Sequence, residues 1–312
     1  MVIAIDHGNC MVKTTKDQFV TGIVDYTVPP PLAADAIEWE GKYWALTGER
    51  LPYQWDKTAN SNFFILTLFA IARQLKEQGE LPTEADVDLA VGLPPGHFSA
   101  LKEKFAKYFE REGVMFKYNS APICLNIRKV FVYPQAYAAV APQTRQLMGV
   151  PQIFVIDIGG YTVDVLMMRD GKLDLRFCKS LEYGVITMNN EIICKIGAMY
   201  GINVGDDIIT SVLQGKDTVI PEPAVQLIRN SVERHAGVIL DKLRELEVDL
   251  RSVPAIFVGG GAMLFKPYLE GSPLVAKADF IADPRANAIG YETLASAQQQ
   301  KRPANGRGGE NA

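Results

Sequence analysis

Two segments of this 312-residue chain share one pattern, a short apolar run that ends in aspartate and is followed by glycine. They are residues 2–9 (VIAIDHGN) and residues 154–165 (FVIDIGGYTVDV). A strand buried on both faces delivers its last residue to one edge of a sheet, and glycines there let backbone amides approach a phosphate. A second β-rich run follows each glycine, at 11–15 and 162–168. Although a single copy reads equally well as an ordinary hairpin turn, the repetition favours two related domains that clamp a nucleotide.

A third glycine-rich element lies at residues 255–264 (AIFVGGGAML), where an apolar strand runs into Gly259, Gly260 and Gly261 and then into a segment compatible with a helix. Bare backbone of this kind can cradle a ligand. A tight turn from strand to helix needs no ligand, and the segment does not spell the G-x-G-x-x-G of dinucleotide-binding proteins. The interpretation as a nucleotide-binding site therefore depends on the order and spacing of all three elements.

Composition excludes several classes of protein. The formal net charge is −4 and no run of lysine or arginine is longer than a pair such as Lys301-Arg302, so we expect no direct binding of nucleic acid. The four cysteines show no C-x-x-C spacing and the chain has three histidines, which argues against a zinc site and against a disulfide framework. The sequence starts directly with a strand, and its longest apolar run, 63–72, is too short to span a bilayer. These features predict a soluble, cytoplasmic protein with no membrane contact.

Hydrophobic periodicity predicts the elements in outline. For the first half we expect strands at 2–5, 12–15 and 19–28, a hairpin at 36–46 that turns at Glu40-Gly41-Lys42, a helix at 60–78, a strand at 86–93, a helix at 98–111, a strand at 126–133 and a helix at 134–148. For the second half we expect strands at 153–158, 162–168 and 173–180, helices at 185–199, 205–213 and 222–247, a strand at 255–258 and a final helix at 284–300.

With these elements in place, Asp6, Gly8 and Asn9, the run from Asp157 to Asp164, and residues 258–262 (VGGGA) resemble the phosphate-1, phosphate-2 and adenosine motifs of the actin-like ATPase superfamily. Within that superfamily the chain most resembles ParM-type bacterial actins, over about residues 2–294. The resemblance implies an α/β, actin-like fold of two related domains, each with a mixed β-sheet flanked by helices, and a nucleotide cleft between them. Residues 1–148 plus 284–300 form domain one, 149–283 form domain two, and 301–312 are expected to be a disordered tail.

The resemblance also assigns roles around a bound nucleotide. Asp6 and Asp157 are expected to hold Mg²⁺ through its waters, and Lys13 to contact the β-phosphate. Asp164 is expected to order the second hairpin or a metal-bound water. The groups expected to hold phosphate oxygens are the amides near Gly8, Asn9, Gly159 and Gly160 and the hydroxyl of Thr162. Turn chemistry is the alternative for each of these residues, and a solvated surface position is the alternative for Lys13.

Two connecting segments complete the resemblance. Gln135, in Tyr133-Pro134-Gln135-Ala136, stands where the family places the residue that orients the attacking water. Glutamine in place of the glutamate of ParM-type members fits orientation by hydrogen bonding and weakens the case for a general base, and a capping or surface glutamine is the alternative. Residues 287–291 (NAIGY) resemble the segment where small residues let two helices cross. Gly184, in residues 182–185, resembles the loop beside the ribose, and the helix around Glu233 is expected to reach the base.

The function implied is that of a Mg²⁺-dependent nucleoside triphosphatase, using ATP or GTP, that polymerises with itself into a polar filament. In ParM-type proteins such filaments segregate plasmid DNA through a ParR-like centromere-binding adaptor. The alternative kept open is a small-molecule kinase of the same superfamily, although no substrate-pocket constellation is evident. A DnaK-type chaperone is not expected, because the sequence shows no β-rich peptide-binding domain. A membrane-linked division actin is not expected either, because no amphipathic anchor is evident.

Overall fold

The computed structural model describes residues 1–31 and 35–300. The chain divides into two compact units. Unit one comprises Met1–Leu93, His97–Gln143 and residues 285–300, and unit two comprises Pro94–Gly96 and Thr144–Pro284. The expected disordered tail, 301–312, lies outside the described residues.

The elements in chain order are as follows. The strands are β1 Val2–His7, β2 Met11–Thr14, β3 Gln18–Val20, β4 Ile23–Tyr26, β5 Ala36–Trp39, β6 Lys42–Leu46, β7 Glu84–Leu93, β8 Arg111–Tyr118, β9 Ala121–Pro134, β10 Ile153–Ile158, β11 Val163–Arg169, β12 Lys172–Leu181, β13 Ala255–Val258 and β14 Ala278–Phe280. The α-helices are α1 Asn62–Glu77, α2 Pro95–Phe109, α3 Tyr137–Val140, α4 Thr144–Leu147, α5 Val185–Tyr200, α6 Asp206–Leu213, α7 Glu222–Glu245, α8 Gly260–Glu270 and α9 Ala286–Gln300, with a 3₁₀ turn at Ala141–Gln143.

Each unit is built on one mixed sheet, and the two sheets share a five-stranded plan. In unit one the described strands run in the order β3-β2-β1-β7-β9-β8-β5-β6-β4, and in unit two the order is β12-β11-β10-β13-β14. In both, the first three strands form an antiparallel meander. Its inner strand, β1 or β10, pairs in parallel with the next strand, β7 or β13, which in turn pairs in parallel with the fifth, β9 or β14. The predicted fold of two related mixed sheets flanked by helices is therefore confirmed.

The helices pack on the sheets through apolar faces that the sequence already shows. In unit one, α1 buries most of its side chains, among them Phe64 and Phe69, in the main core with β1 and β7. A second cluster joins Ala4 and Ala90 of the sheet to Ala138 of α3 and Tyr291 of α9. In unit two, α5, α7 and α8 contribute to a single core with β10 and β13. Burial of this apolar area is the main stabilising term.

The predicted strand at 19–28 is wrong as a single element. The chain breaks at Thr21-Gly22 into β3, which pairs with β2, and β4, which pairs with β6. Gly22 packs so tightly against residue 49 that a side chain would overlap the Glu49 carbonyl oxygen, and its amide bonds the Val20 carbonyl at 2.7 Å. Because of this sharp turn, the two halves of one apolar run pair with different strands, β2 and β6.

The predicted helix at 134–148 is also wrong as a continuous element. It is divided into α3, the 3₁₀ turn and α4. Pro142 has no amide hydrogen to donate to the preceding turn and disfavours a helical residue before it, so the helix cannot continue through it.

Two strands were not predicted. β8 occupies residues placed between the helix at 98–111 and the strand at 126–133, and it joins β9 through positive-φ residues Asn119 and Ser120. β14 is the short edge strand of unit two. The predicted hairpin at 36–46 is confirmed, with Glu40 and Gly41 both at positive φ. Across the described ranges, no helix is long and apolar enough to cross a membrane.

Candidate functional site

In unit one, Asp6, Lys13 and Gln135 come together at the end of β1. Asp6 is 2% exposed, and Lys13 lies opposite it in the β1–β2 register, with its Nζ 3.7 Å from Asp6 Oδ2. Gln135 follows β9 directly and is also buried, and its Nε2 donates to Asp6 Oδ1 at 2.8 Å. The predicted metal-holding carboxylate and the predicted water-orienting amide are therefore in direct contact.

That contact fixes which way round the Gln135 amide stands. An ionised carboxylate only accepts hydrogen bonds, so the group facing Asp6 has to be the NH₂ of Gln135 and not its carbonyl oxygen. The Oε1 atom then points away from Asp6 and is oriented as an acceptor. A water molecule that donates a hydrogen to this atom would present its lone pair in a fixed direction, which is what positioning a nucleophile requires.

The β1–β2 hairpin, called hairpin one, is held at its base by a cluster of buried side chains. His7 stacks on Phe109, with ring centroids 4.9 Å apart, and its Nε2 is 2.7 Å from Thr67 Oγ1. Thr67 gives its own hydrogen to the Phe63 carbonyl, so His7 is the donor to Thr67. Burial first, and the nearby Lys57 ammonium second, lower the pKa of His7 well below its ordinary value, and the ring is neutral.

Lys57 is a residue of this site that sequence reasoning missed. It is 6% exposed, and its ammonium donates to the His7 carbonyl. The turn that follows contains the predicted Gly8 and Asn9: the Thr21 hydroxyl donates to the Gly8 carbonyl at 2.6 Å, and Asn9 Oδ1 accepts from the Gln54 amide at 3.5 Å. Lys57 lies in a polar loop and Thr21 at the break of an apolar run, and neither has a motif around it, so no sequence signal marked either residue as a support of the hairpin.

In unit two, Asp157 occupies the position in β10 that Asp6 occupies in β1, and Asp164 faces it across the β10–β11 pair. Asp157 is 7% exposed and Asp164 3%. Asp164 accepts from Thr162 Oγ1 at 3.0 Å and from Ser180 Oγ at 2.5 Å. Asp164 thus connects Thr162, in the turn, to Ser180 of β12. The Thr162 hydrogen is committed to Asp164, so a phosphate here would have to compete for it.

The β10–β11 hairpin, called hairpin two, has a turn that also caps the N-terminus of α5. The Gly159 amide closes the turn on the Thr162 carbonyl at 2.8 Å. The Gly184 amide donates to Tyr161 O at 2.9 Å, and the next two amides donate to the carbonyls of Gly159, at 3.1 Å, and Gly160, at 2.7 Å. The first turn of a helix has unsatisfied amides, and the hairpin satisfies them. Gly184 therefore lies against the turn between β10 and β11, and its own amide is already hydrogen-bonded.

The three-glycine segment meets Asp157. Gly259 has φ +90°, and a side chain there would overlap Asp157 Oδ1 and lie 2.6 Å from the Ile158 carbonyl oxygen. A side chain on Gly261 would lie 2.8 Å from that same oxygen, whereas Gly260 faces open space. Gly259 and Gly261 thus leave room for the neighbouring strand and its carboxylate, and Gly259 is the N-cap residue of α8. This close approach is why glycine is needed at 259 and 261.

Each unit places one buried carboxylate, Asp6 or Asp157, at the end of its inner strand. Mg²⁺ prefers oxygen ligands and keeps several waters, so either carboxylate is chemically suited to hold this ion through its waters. In the described part of the chain, no group of three or more histidine, cysteine, aspartate or glutamate side chains forms a metal-binding cluster. A magnesium ion here would therefore depend on water and phosphate oxygens for most of its ligands.

Two family models of actin-like proteins match parts of this chain. A family model described as "Archaeal actin homologue MreB-like, C-terminal" matches residues 155–271, and one described as "Actin like proteins N terminal domain" matches residues 44–137. The comparison with curated proteins found no match.

Solved structures match over almost the whole chain. The archaeal actin homologue Ta0583 in complex with ADP is 21% identical, with a TM-score of 0.73 over 95% of this chain and 99% of that one. ParM in a 15-stranded filament from Clostridium botulinum is 17% identical, with a TM-score of 0.73 over 95% and 99%. The actin-like protein Alp7A is 12% identical, with a TM-score of 0.76 over 98% and 99%. At these identities the matches establish the fold.

Proposed function

This chain has the actin-like fold and the predicted resemblance to ParM-type actin-like proteins is confirmed, and from that premise we propose that it hydrolyses ATP or GTP with Mg²⁺ and assembles into polar filaments. The observation that carries the proposal is the buried Gln135–Asp6 hydrogen bond of 2.8 Å, which leaves one amide oxygen oriented as an acceptor. The ADP bound by Ta0583 and the filament formed by ParM are properties of those proteins that support it.

Hydrolysis of a terminal phosphate depends mainly on positioning and on neutralising charge. Gln135 Oε1 would accept a hydrogen from the attacking water, and Lys13 would attract phosphate oxygens as a point charge. The hairpin turns around Gly8, Asn9, Gly159 and Gly160 would supply backbone donors, and Gly259 to Gly261 would receive the nucleoside. Mg²⁺, when bound, would neutralise phosphate charge, held by Asp6 and Asp157 through water.

Light scattering tests the proposal directly. The purified protein is mixed with Mg²⁺ and, in turn, with ATP, GTP or a non-hydrolysable analogue, and pelleted material is examined by electron microscopy. A nucleotide-triggered rise in scattering with filaments on the grid is the expected result. Nucleotide binding with no scattering change at any concentration would contradict filament formation and would direct attention to the small-molecule kinase alternative.

Asp157→Ala separates the chemistry from folding. The substitution removes a buried carboxylate from the end of β10 and enlarges the space beside Gly259, so the unit should fold. We expect phosphate release to fall by roughly a hundredfold or more, because a metal-orienting charge is lost. Turnover within about twofold of the parent, in a protein with an unchanged circular-dichroism spectrum, would refute the role of Asp157.

We further propose that the filaments segregate plasmid DNA in the cytoplasm through a ParR-like adaptor bound at a centromere. The formal charge of −4 fits attachment to DNA through a partner better than direct contact. Plasmid retention in dividing cells, measured with the gene intact and with the Asp157→Ala allele, tests this role. Equal retention in the two strains would contradict it even if filaments form in vitro.

A further inference from the structure

The residue after Gln135 has a backbone conformation that alanine rarely adopts. Ala136 has φ +63° and ψ −53°, and the Tyr137 amide donates to the Gln135 carbonyl at 2.7 Å across it. This is the γ-turn of positive φ, which is rare and strained for a residue with a side chain. Ala136 is fully buried, so no solvent contact compensates for the strain. Strain of this kind persists where the surroundings over-determine it, and it concentrates at functional sites.

One side chain from a distant part of the sequence holds the turn. Asn287, at the start of α9 and 7% exposed, accepts a hydrogen bond from the Ala136 amide through Oδ1 at 2.9 Å. The Gln135 amide on the preceding side donates to the Leu93 carbonyl, the last residue of β7, at 2.9 Å. Two consecutive amides around the Gln135 α-carbon are thus fixed, one by the sheet and one by α9. These contacts all lie within unit one.

We propose that Asn287 is a positioning residue for hydrolysis: by holding Ala136 in its strained γ-turn it fixes the direction in which the Gln135 side chain leaves the backbone, and so sets its amide against Asp6. Without the Asn287 acceptor, the Ala136 amide is a buried donor with no carbonyl in place, and the residue gains by rotating toward a negative φ. That rotation would swing the Gln135 side chain away from Asp6. The proposal rests on the proposed function and adds a residue to its machinery.

A matched pair of variants tests it in the full-length protein. Asn287→Ala removes the acceptor of the Ala136 amide. Asn126→Ala removes a bond of the same kind in the same unit, since Asn126 is 8% exposed and its Oδ1 accepts the Gly113 amide at 2.8 Å. We expect Asn287→Ala to lower kcat by roughly tenfold to a hundredfold with the nucleotide Kd unchanged, and Asn126→Ala to change neither.

The double variant Ala136→Gly with Asn287→Ala separates positioning from general damage. Glycine adopts positive φ without strain, so the turn should re-form without its clamp and recover much of the lost turnover. No recovery, or an equal loss of kcat in Asn287→Ala and Asn126→Ala, would overturn the proposal. So would a loss of nucleotide affinity that accounts for the whole effect in Asn287→Ala.

Amide hydrogen exchange gives a readout that does not depend on turnover. With ADP bound, the Ala136 amide should exchange slowly in the parent and fast in Asn287→Ala, and should stay slow in Asn126→Ala. Fast exchange in the parent would overturn the proposal even if the variant fails to fold. A parent that hydrolyses no nucleotide but shows this pattern would refute the proposed function and leave Asn287 as the clamp of the turn.

Discussion

At the residue scale, the two copies of one hairpin differ in what faces the aspartate. Asp6 is paired in register with Lys13, whereas Asp157 is paired with Asp164. The Lys13 ammonium beside Asp6 offers a positive charge to phosphate, while Asp164 accepts hydrogen bonds from Thr162 and Ser180. The first copy is therefore suited to contacting the nucleotide directly, and the second to holding a rigid turn around Asp157.

Gln135→Ala tests the orientation of the water. The variant loses both the amide that donates to Asp6 and the oxygen oriented as an acceptor. We expect phosphate release to slow by roughly a hundredfold, the low end for losing a positioned polar group, and filaments to persist longer because hydrolysis would trigger their disassembly. Phosphate release and turbidity decay are followed on one sample. Filaments that disappear as fast as those of the parent would remove Gln135 from the mechanism.

Gly259→Ala tests the space that Asp157 needs. The new methyl group would overlap Asp157 Oδ1, and φ +90° is unfavourable for alanine. We expect a loss of roughly 3 kcal/mol in the free energy of unfolding, from strain and overlap together. Gly260→Ala is the matched control, because the neighbouring position faces open space and should leave stability nearly unchanged. Equal urea midpoints for the two variants would contradict the close approach of Gly259 to Asp157.

The second aspartate–glycine motif could be recognised from the sequence because its groups are local along the chain. Asp157, Thr162 and Asp164 lie within one hairpin, and such a hairpin is readable from strand alternation and glycine. The contacts of Lys57 and Asn287 could not be predicted, for the opposite reason. Their partners, His7 and Ala136, are 50 and 151 residues away along the chain, so the contact exists only after the sheet and α9 have packed.

At the element scale, the crossing of α3 and α9 was anticipated from small residues, but α3 was not expected to be so short. Gly290 approaches α3 so closely that a side chain would overlap the Ala138 carbonyl oxygen. The prediction of one long helix failed because alanine-rich sequence favours helix while Pro142 and the turn at Ala136 interrupt it. β8 was missed because its side chains are mostly exposed and show no clean alternation.

We therefore expect Gly290→Ala to lower stability, although a glycine-to-alanine substitution raises stability in a helix that has room for the methyl group. The methyl group meets backbone rather than a movable side chain, so α3 has to shift, and we expect a loss of roughly 3 kcal/mol in the free energy of unfolding. Gly237→Ala, on the exposed face of α7 with nothing within 4 Å, should instead gain up to about 1 kcal/mol from helix propensity. Thermal unfolding of both variants shows whether each melting temperature falls or rises. Two shifts in the same direction would contradict the tight crossing.

At the scale of the whole molecule, the chain repeats one five-stranded plan and adds a different element to each copy. Unit one extends its sheet with the β8-β5-β6-β4 strands, and unit two extends its helical layer with α6 and α7. The shared plan was predictable from the repeated aspartate–glycine pattern. The added strands of unit one were harder to predict, because each of the four is short and its hydrophobic periodicity extends over only a few residues.

Each unit also buries one histidine, and this predicts how the stability of the whole molecule depends on pH. Burial lowers the pKa of His7 in unit one, with Lys57 adding to the effect, and burial lowers the pKa of His235 in unit two despite its bond to the Tyr183 carbonyl. Both rings are neutral when folded but take up a proton when unfolded below about pH 6.5, so the unfolded chain binds more protons there. Stability is therefore full above about pH 6.5 and falls as the pH drops toward the folded pKa values.

Urea unfolding between pH 7.5 and 5.5 measures the effect. Each histidine contributes a slope of at most about 1.4 kcal/mol per pH unit, and carboxylates titrate mostly below this window. His235→Gln, which keeps a donor for the Tyr183 carbonyl, should remove one of the two contributions and leave the other. Because the two histidines lie in different units, the remaining slope then belongs to the unit that contains Asp6 and Gln135. A parent protein equally stable at pH 7.5 and 5.5 would show that neither ring is held neutral by burial.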